Sequence, residues 1–214
     1  MRNRFSLEPL RVQVGLLLSG CGHYDGTDVQ EAVLCGWALD RRGARVVGLA
    51  PAREQLQVVD HTRGDEMTAP PRDLLLESAR ILHDKVHPAS EFALETLQGL
   101  VVPGGFGCAK NLMTSFARPG ERRDVHPEVE RVVRHFLSAR KPLGIVGLGE
   151  IPVRKLLGLP LEDAPPTADP LRVSVDREKR ILTTPGFKGF TRVSQVAEGV
   201  EAMVEEFMTL LRAA

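Results

Sequence analysis

Short apolar runs alternate with amphipathic stretches along this chain, and each kind predicts a different element. Continuous apolar runs are typical of strands buried on both faces of a parallel sheet, whereas apolar positions three or four residues apart indicate helices. The pattern predicts buried strands at residues 12–19, 45–50, 99–102 and 143–146, a short strand at 57–61, and a hairpin of 171–175 with 180–184. It predicts one helix that begins at Thr27 or Asp28 and ends at Gly43, and further helices at residues 72–83, 127–140, 150–157 and 194–212.

This alternation predicts an α/β fold, with a mostly parallel sheet and helices on both faces. In such sheets, ligands bind beyond the carboxyl ends of the strands. Four predicted loops leave those ends, at residues 20–27, 103–111, 147–150 and 185–189. Three of them are rich in glycine, which permits positive φ and lets backbone N–H groups approach an anion or a developing oxyanion. We therefore expect the functional site among these loops.

Composition and charge exclude several classes of function. The 214 residues are 43% hydrophobic and 26% charged, which predicts one globular domain at residues 12–214 behind a short arm at residues 1–11. The 28 Lys and Arg residues balance the 28 Asp and Glu residues, so the basic excess typical of a nucleic-acid-binding protein is missing. The sequence contains no apolar run of the roughly 18 residues that a membrane-spanning helix needs, so no membrane partner is expected.

The cysteines indicate a reducing compartment, and we expect a cytoplasmic protein. Cys21, Cys35 and Cys108 are odd in number and widely spaced, which does not favour a disulfide framework. No CxxC pair is present, and we expect neither a metal site nor a cofactor. One loop does carry three side chains of metal-binding type, but no matching cluster follows, so we expect a solvated loop. These side chains are His23, Asp25 and Asp28.

The turn after the predicted strand 143–146 is the usual place for a nucleophile in this architecture. A sharp strand-to-helix turn there lifts one side chain into the cleft, and the N-terminus of the next helix stabilises its anion. The turn here consists of Gly147, Leu148, Gly149 and Glu150. It has no Ser, Cys or Thr, so it offers no side chain for acyl transfer or hemithioacetal formation.

Four segments resemble one known family. They are LLSGCGHYDGTDVQEAV at residues 17–33, LVVPGGFGCAKNL at 100–112, KPLGI at 141–145 and RILTTP at 180–185. They are similar to the glyoxalase-like, enhancing-lycopene-biosynthesis protein 2 family, within the PfpI and class I glutamine amidotransferase-like superfamily. The resemblance extends from Val12 to the last helix.

The resemblance implies a flavodoxin-like three-layer sandwich and a homodimer. It places the family's nucleophilic cysteine at Gly147, so the cysteine is missing here. In the family, a carboxylate hydrogen-bonds that cysteine, and the resemblance matches this carboxylate to Glu31. It also matches Gly105 to the residue whose backbone N–H contributes to the oxyanion hole. The segment between Leu159 and Leu171 is shorter than in relatives, where it includes a further strand and small helix. Both departures put glyoxalase-type activity in question.

Several candidate residues have two interpretations each. Glu31 is either a cleft carboxylate with a raised pKa or an exposed helix residue, and we favour the cleft. Cys108 is either a displaced nucleophile or a small packing residue, and we favour packing, as we do for Cys21. Glu150 either replaces the lost acid–base group or stabilises a helix N-terminus, which we favour. Lys110 and Asn111 either orient the Gly-rich loop, bind an anionic ligand or cap a helix.

Our leading hypothesis is an impaired or repurposed family member that binds a small carbonyl or anionic metabolite. The first alternative is an active glyoxalase-type or amide-hydrolysing enzyme that uses Cys108 or Cys21 with Glu31 or Glu150. The second is a scaffold protein without a ligand. We expect the ligand-binding loops to contribute Gly20, Cys21, Gly104, Gly105, Phe106, Asn111, Gly147 and Leu148.

Overall fold

The computed structural model of the chain describes residues 12–114, 123–160, 169 and 173–213. A seven-stranded sheet forms its centre, in the order β5-β2-β1-β6-β7-β9-β8. Its strands are β1 (Gln13–Leu17), β2 (Arg45–Ala50), β5 (Val86–Pro88), β6 (Gly99–Val102), β7 (Leu143–Val146), β8 (Ser174–Asp176) and β9 (Ile181–Thr184), and a separate hairpin contains β3 (Val59–Asp60) and β4 (Asp65–Glu66). Neighbouring strands of the large sheet are parallel except β8 and β9. The register sets Leu16 opposite Gly48 and Val101.

Six helices pack on this sheet or join its loops. They are α1 (Val29–Arg41), α2 (Leu74–Leu82), α3 (Gly107–Lys110), α4 (Pro127–Ser138), α5 (Glu150–Leu156) and α6 (Val193–Arg212), with 3-10 turns at Leu94–Thr96, Gly147–Gly149 and Gly186–Lys188. The side chain of Asp28 accepts the N–H groups of Gln30 and Glu31, and so caps α1. Pro127 occupies the first turn of α4, where its missing N–H costs no hydrogen bond.

Two hydrophobic cores lie on opposite faces of the sheet. One joins α1, α2 and α6 to strand residues such as Leu16 and Val101. The other joins α3, α4 and α5 to residues such as Leu17 and Leu100. Successive strand residues thus enter different cores, as the two-residue period of a strand requires. The predicted α/β fold, a flavodoxin-like three-layer sandwich around a mostly parallel sheet, is confirmed.

The main differences from the prediction concern short elements. β4, β5 and α3 were not predicted, because strands of two and three residues and a helix of four are too short to show a period. β3 is confined to two residues of the predicted strand 57–61. The predicted arm at residues 1–11, most of the Pro-rich segment before Leu171, and the first residues of the hairpin lie outside the described residues. Among the helices that the structure describes, none has the length and apolar character needed to cross a membrane.

Candidate functional site

The predicted loops do meet at the carboxyl ends of the strands, and close backbone contacts join them. The N–H of Asp28 donates to the carbonyl of Gly104 at 2.8 Å. Gly105 has φ +104°, and a Cβ at this position would collide with the backbone of Gly26 and Asp28. Only glycine satisfies both conditions, so the sequence Gly104-Gly105 is explained by the packing of two loops at this edge.

Glu31 lies at the centre of this junction and is only 2% exposed. Its Oε2 accepts the N–H of Gly104 at 2.7 Å, and its Oε1 accepts the N–H of Phe187 at 2.8 Å. Burial raises the pKa of this carboxyl to about 7, although both backbone hydrogen bonds act in the opposite direction. Glu31 is therefore a buried carboxyl that exchanges its proton near neutral pH, in the first turn of α1.

Gly147 lies in the strand-end turn to which the family resemblance assigns the nucleophile. Its φ is +52°, and a Cβ there would lie 2.9 Å from Glu31 Oε1 and 3.3 Å from the carbonyl oxygen of Pro185. A side chain at this position would therefore contact the carboxylate of Glu31 closely, and one of the two groups would have to shift. We call residues 147–150 the Gly147 turn. It has no Ser, Cys or Thr side chain.

Burial raises the pKa of all three cysteine thiols. Cys108 is 1% exposed, and its Sγ donates to the carbonyl oxygen of Pro103 at 3.2 Å. Its pKa lies far above the ordinary value, and the charge of Glu31 adds to the rise. For the half-buried Cys21, Glu77 is the next cause of the raised pKa. Cys35, on α1, is fully buried in the core.

Glu150 forms ion pairs at the start of α5. Its Oε1 accepts a hydrogen bond from Nζ of Lys188, and its Oε2 lies 3.9 Å from Nη1 of Arg154. Lys188 belongs to the 3-10 turn Gly186–Lys188, which we call the Gly186 turn. The N–H of Phe187 in this turn holds Glu31, so the Gly186 turn is fixed to two carboxylates and covers the Gly147 turn.

Asn111 and Lys110 hold loops together. Asn111 is fully buried, and its Nδ2 donates to the carbonyl oxygens of Ser19 and Asp25 while its Oδ1 accepts the N–H of Leu56. All its polar atoms are used, which corrects the expectation that Asn111 binds a ligand. Nζ of Lys110 donates to the carbonyl oxygen of Tyr24 at 2.7 Å.

An open cleft of about 520 Å³ lies beside the N-terminus of α1. We call it the His23 cleft, and its lining consists of Gly22, His23, Asp28, Val29, Gln30, His61, Phe187, Phe190 and Thr191. This volume suits a small metabolite. The glycine-rich residues predicted to bind the ligand are not part of this lining, and their binding role stays a prediction. They are Gly20, Gly104, Gly105, Gly147 and their neighbours Cys21, Phe106 and Leu148.

The loop that carries His23 is not solvated as expected. Asp25 is fully buried, and its Oδ2 accepts the N–H of Val59 at 2.8 Å. Asp28 is nearly buried, and its Oδ2 lies 2.7 Å from Nδ1 of His23. The hydrogen bond to Asp28 raises the pKa of His23, although burial of the ring opposes the rise. The expectation of a solvated loop is therefore wrong, and an oriented histidine faces the cleft.

Sequence reasoning named His23 and Asp28 only as unlikely metal ligands, and it missed His61 and Phe187. The spacing of five between His23 and Asp28 was a usable signal, because Asp28 was already a predicted helix cap. Nothing in the sequence connected His61 to this loop. Among the described residues, no group of three His, Cys, Asp or Glu side chains lies close enough together to hold a metal ion.

Curated relatives share most of the length of the chain. It is 34% identical over 225 residues to the mitochondrial ES1 protein homolog of Rattus norvegicus, which covers 94% of this chain and 84% of that protein. It is 34% identical over 223 residues to a human mitochondrial protein, the glutamine amidotransferase-like class 1 domain-containing protein 3, over 92% of this chain and 83% of the human one. The chain belongs to the ES1 family. No family model matches it.

Solved structures agree with this assignment. An isoprenoid biosynthesis protein with amidotransferase-like domain from Ehrlichia chaffeensis superposes with a TM-score of 0.85 at 28% identity, over 92% of this chain and 99% of that one. DJ-1 from Toxoplasma gondii superposes with a TM-score of 0.51 at 18% identity, over 94% of this chain and 95% of that one, which shows the fold alone. The resemblance expected from the sequence motifs is therefore confirmed.

The expected cytoplasmic location is contradicted by the same relatives. The rat, human and Danio rerio proteins are all named as mitochondrial. The cysteine count indicated only a compartment without a disulfide framework, and a reducing compartment need not be the cytoplasm. Cysteine usage was therefore too weak a signal for location.

Proposed function

We propose that this ES1-family protein binds a small carbonyl-containing or anionic metabolite in the His23 cleft, without thiol-based glyoxalase chemistry. The observation that carries the proposal is Gly147. It has a φ of +52° at the position that the resemblance assigns to the nucleophile, and a Cβ there would lie 2.9 Å from Oε1 of Glu31. A glycine has no group that can attack a carbonyl carbon, so the family's expected chemistry has no nucleophile at this position.

The neighbouring thiols give no easy substitute. Thiol catalysis requires the thiolate, and its formation is opposed wherever burial raises the thiol pKa. Cys108 is enclosed and donates its hydrogen bond to the backbone at Pro103. The half-buried Cys21 has a pKa raised by burial and by Glu77. These features favour a binding role over covalent catalysis.

The His23 cleft supports the binding role. It is open and large enough for a small metabolite, and it combines the apolar walls of Phe187 and Phe190 with the polar groups of His23 and Thr191. A largely apolar pocket with a few converging polar groups is the usual form of a small-molecule site. The proposal therefore places the ligand beside Phe187, on the outer side of the Gly186 turn.

Consumption of methylglyoxal tests the absence of thiol chemistry. We expect no turnover by the wild-type protein, and none by the Cys108→Ala, Cys21→Ala or Glu31→Gln variants. Cys35→Ala is the matched control, because it removes a thiol that is buried in the core away from the site. Turnover in the wild type that disappears with Cys108→Ala or Cys21→Ala, and persists in Cys35→Ala, would establish the enzyme alternative instead.

Thermal shift tests the binding role. A ligand that binds only the folded state stabilises it by about 2.7 kcal/mol at a hundred times its Kd. We expect at least one compound in a panel of small carbonyls and carboxylates to raise the Tm of the wild type. A complete panel without a shift would contradict the binding role and favour the scaffold alternative.

We also propose that the protein is a homodimer. The resemblance implies this state, and one exposed apolar stripe on α1 gives it physical support. Val29, Val33 and Trp37 follow one another at a spacing of four residues, and each is 39% to 50% exposed. Sedimentation velocity should therefore give twice the mass of the chain, and Trp37→Glu should give the monomer. A wild-type monomer would contradict the proposal.

A further inference from the structure

The His23 cleft exposes imidazoles, not carboxylates. Three ionisable side chains line it, namely His23, Asp28 and His61. The side chains of His23 and His61 are 42% and 38% exposed, whereas that of Asp28 is 8% exposed. A ligand in the cleft therefore meets ring nitrogens before it meets a negative charge.

The carboxylate of Asp28 is already used by the protein. Its Oδ1 accepts the N–H of Gln30 at 3.0 Å and that of Glu31 at 3.1 Å. Its Oδ2 pairs with Nδ1 of His23 at 2.7 Å. A carboxylate accepts and does not donate, so Nδ1 carries a proton in this pair. Asp28 thus orients the ring and offsets the charge that His23 gains at its second nitrogen.

His61 differs because the protein engages both of its nitrogens. Nε2 receives the backbone N–H of Tyr24 at 3.2 Å, and Nδ1 lies 3.0 Å from the carbonyl oxygen of Val59. A backbone N–H can only donate and a carbonyl can only accept, which assigns the proton to Nδ1 and leaves Nε2 as an acceptor. His61 is therefore held by the backbone at both ring nitrogens and forms a wall of the cleft.

His23 is the side chain that can change charge toward a ligand. Among the described residues, the hydrogen bond to its ring is made at Nδ1, and Nε2 becomes a donor when the ring is protonated. The hydrogen bond to Asp28 raises its pKa, which extends the protonated range upward. Phe187, Phe190 and Thr191 add no charge. The titratable groups that contact His23, share its cleft or act on it by charge are Tyr24, Asp28, Glu31 and His61.

We infer that the His23 cleft takes small carboxylates, such as 2-oxo acids, and that the imidazolium of His23 is their counter-ion. The inference rests on the proposed function, because it names the ligand class of the same cleft. Nε2 of the protonated ring donates to a carboxylate oxygen in a charge-assisted hydrogen bond. The apolar part of the ligand packs on Phe187 and Phe190, which line the same cleft.

This assignment makes binding dependent on pH. Only protein in which His23 is protonated can bind the carboxylate, so the apparent affinity is proportional to the protonated fraction. Affinity is therefore constant below the pKa of His23 and falls about tenfold per pH unit above it. Asp28→Asn keeps a capping oxygen for α1 but removes the charge, so the fall in affinity should begin at a lower pH.

Calorimetric titration with pyruvate tests the inference, with hydroxyacetone as the matched neutral probe. We expect pyruvate to bind the wild type, with an affinity that falls as the pH rises from about 6 to about 8.5, while the affinity for hydroxyacetone stays constant over this range. His23→Gln should lower the affinity for pyruvate at least tenfold at the lower pH and remove the pH dependence of that affinity. Asp28→Asn should lower the pH at which the affinity for pyruvate begins to fall. The midpoint of an NMR titration of the His23 ring should be lowered as well.

Three results would overturn the inference. One is pyruvate affinity independent of pH in the wild type, and another is affinity unchanged in a His23→Gln variant that circular dichroism shows to be folded. The third is binding of neutral carbonyls without any binding of pyruvate, which would leave the proposed function standing. If no compound of the thermal-shift panel binds at any pH, the proposed function fails as well.

Discussion

The Gly147 turn and the His23 cleft lie at the same edge of the sheet, and both are built around a carboxylate of α1. At the Gly147 turn the carboxylate of Glu31 is buried, accepts two backbone N–H groups and would lie 2.9 Å from a Cβ at Gly147. At the His23 cleft the carboxylate of Asp28 also accepts two N–H groups, but its second oxygen holds a half-exposed imidazole. One site is closed and the other is open.

On our proposal, the fold keeps the framework of one site while its ligand binds at the other. The backbone at Gly147 still has a positive φ, and the strand-end loops still pack through Gly104 and Gly105. These features are explained by packing, because a Cβ at either of the paired glycines would contact the neighbouring loops closely. The polar group that faces the open cleft is His23, six residues beyond the end of β1 at Leu17.

The largest effect that we predict is a loss of stability when a side chain is added next to the Gly147 turn. In Gly186→Ala, the new Cβ would overlap Oε1 of Glu31 and lie 2.8 Å from Val146, at a φ of +57°. We expect a loss of about 3 kcal/mol or more in the free energy of unfolding, from overpacking and positive φ together. Urea denaturation measures it.

Gly43→Ala is the matched control for this prediction. Gly43 has φ +80°, but a Cβ there would meet nothing within 4 Å. The control isolates the cost of positive φ, about 1 kcal/mol. Equal losses in Gly186→Ala and Gly43→Ala would show that the space around Glu31 is not filled, and the contrast between the two sites would be lost.

The next effect concerns the proton on Glu31. Its pKa rises from 4.5 to about 7 on folding, so between these values the folded protein holds a proton that the unfolded chain releases. This carboxyl therefore stabilises the fold less and less as the pH rises through that window, by about 3 kcal/mol in total. In Glu31→Gln this part of the pH dependence should vanish from urea denaturation measured at several pH values.

Glu198→Gln is the control for the loss of one carboxylate, because Glu198 is exposed on α6. It should leave the pH dependence of unfolding as in the wild type. A Glu31→Gln variant with the wild-type slope would contradict the burial of an ionisable carboxyl at the Gly147 turn, and with it the reason for the closed site.

The smallest effect involves the ion pair that fixes the Gly186 turn. Glu150→Gln removes the charge that Lys188 contacts, and both side chains are less than a fifth exposed. We expect a loss of about 1 kcal/mol and faster hydrogen exchange at the N–H of Phe187. Glu201→Gln, in the exposed pair with Arg41, should change stability by less than about 0.5 kcal/mol. Equal losses would contradict a fixing role for Glu150.

The fold could be predicted from the sequence because its signals are local. Buried strands such as β2 and β7 are continuous apolar runs, and the cap of α1 is a single aspartate. The position of Gly147 was also predictable, since a strand-end turn without a nucleophile is visible in the chain. Of the elements that were not predicted, β5 and α3 are stabilised by contacts with residues that are distant in sequence.

The open site was much harder to predict, because its parts come together only in three dimensions. His61 reaches His23 from a separate hairpin, and Phe187 comes from the far end of the chain. Asn111 shows the opposite error, since a polar residue in a glycine-rich loop turned out to be buried and saturated by the backbone. Sequence position alone does not tell which polar side chains form hydrogen bonds inside the fold.

NMR mapping of pyruvate binding at about pH 6 tests most directly whether the ligand uses the open site and not the closed one. The account predicts that the signals of His23, Phe187 and Thr191 move on titration, while those of Leu148 and Cys108 stay in place. Shifts centred on Leu148 and Cys108, with His23 unmoved, would contradict it.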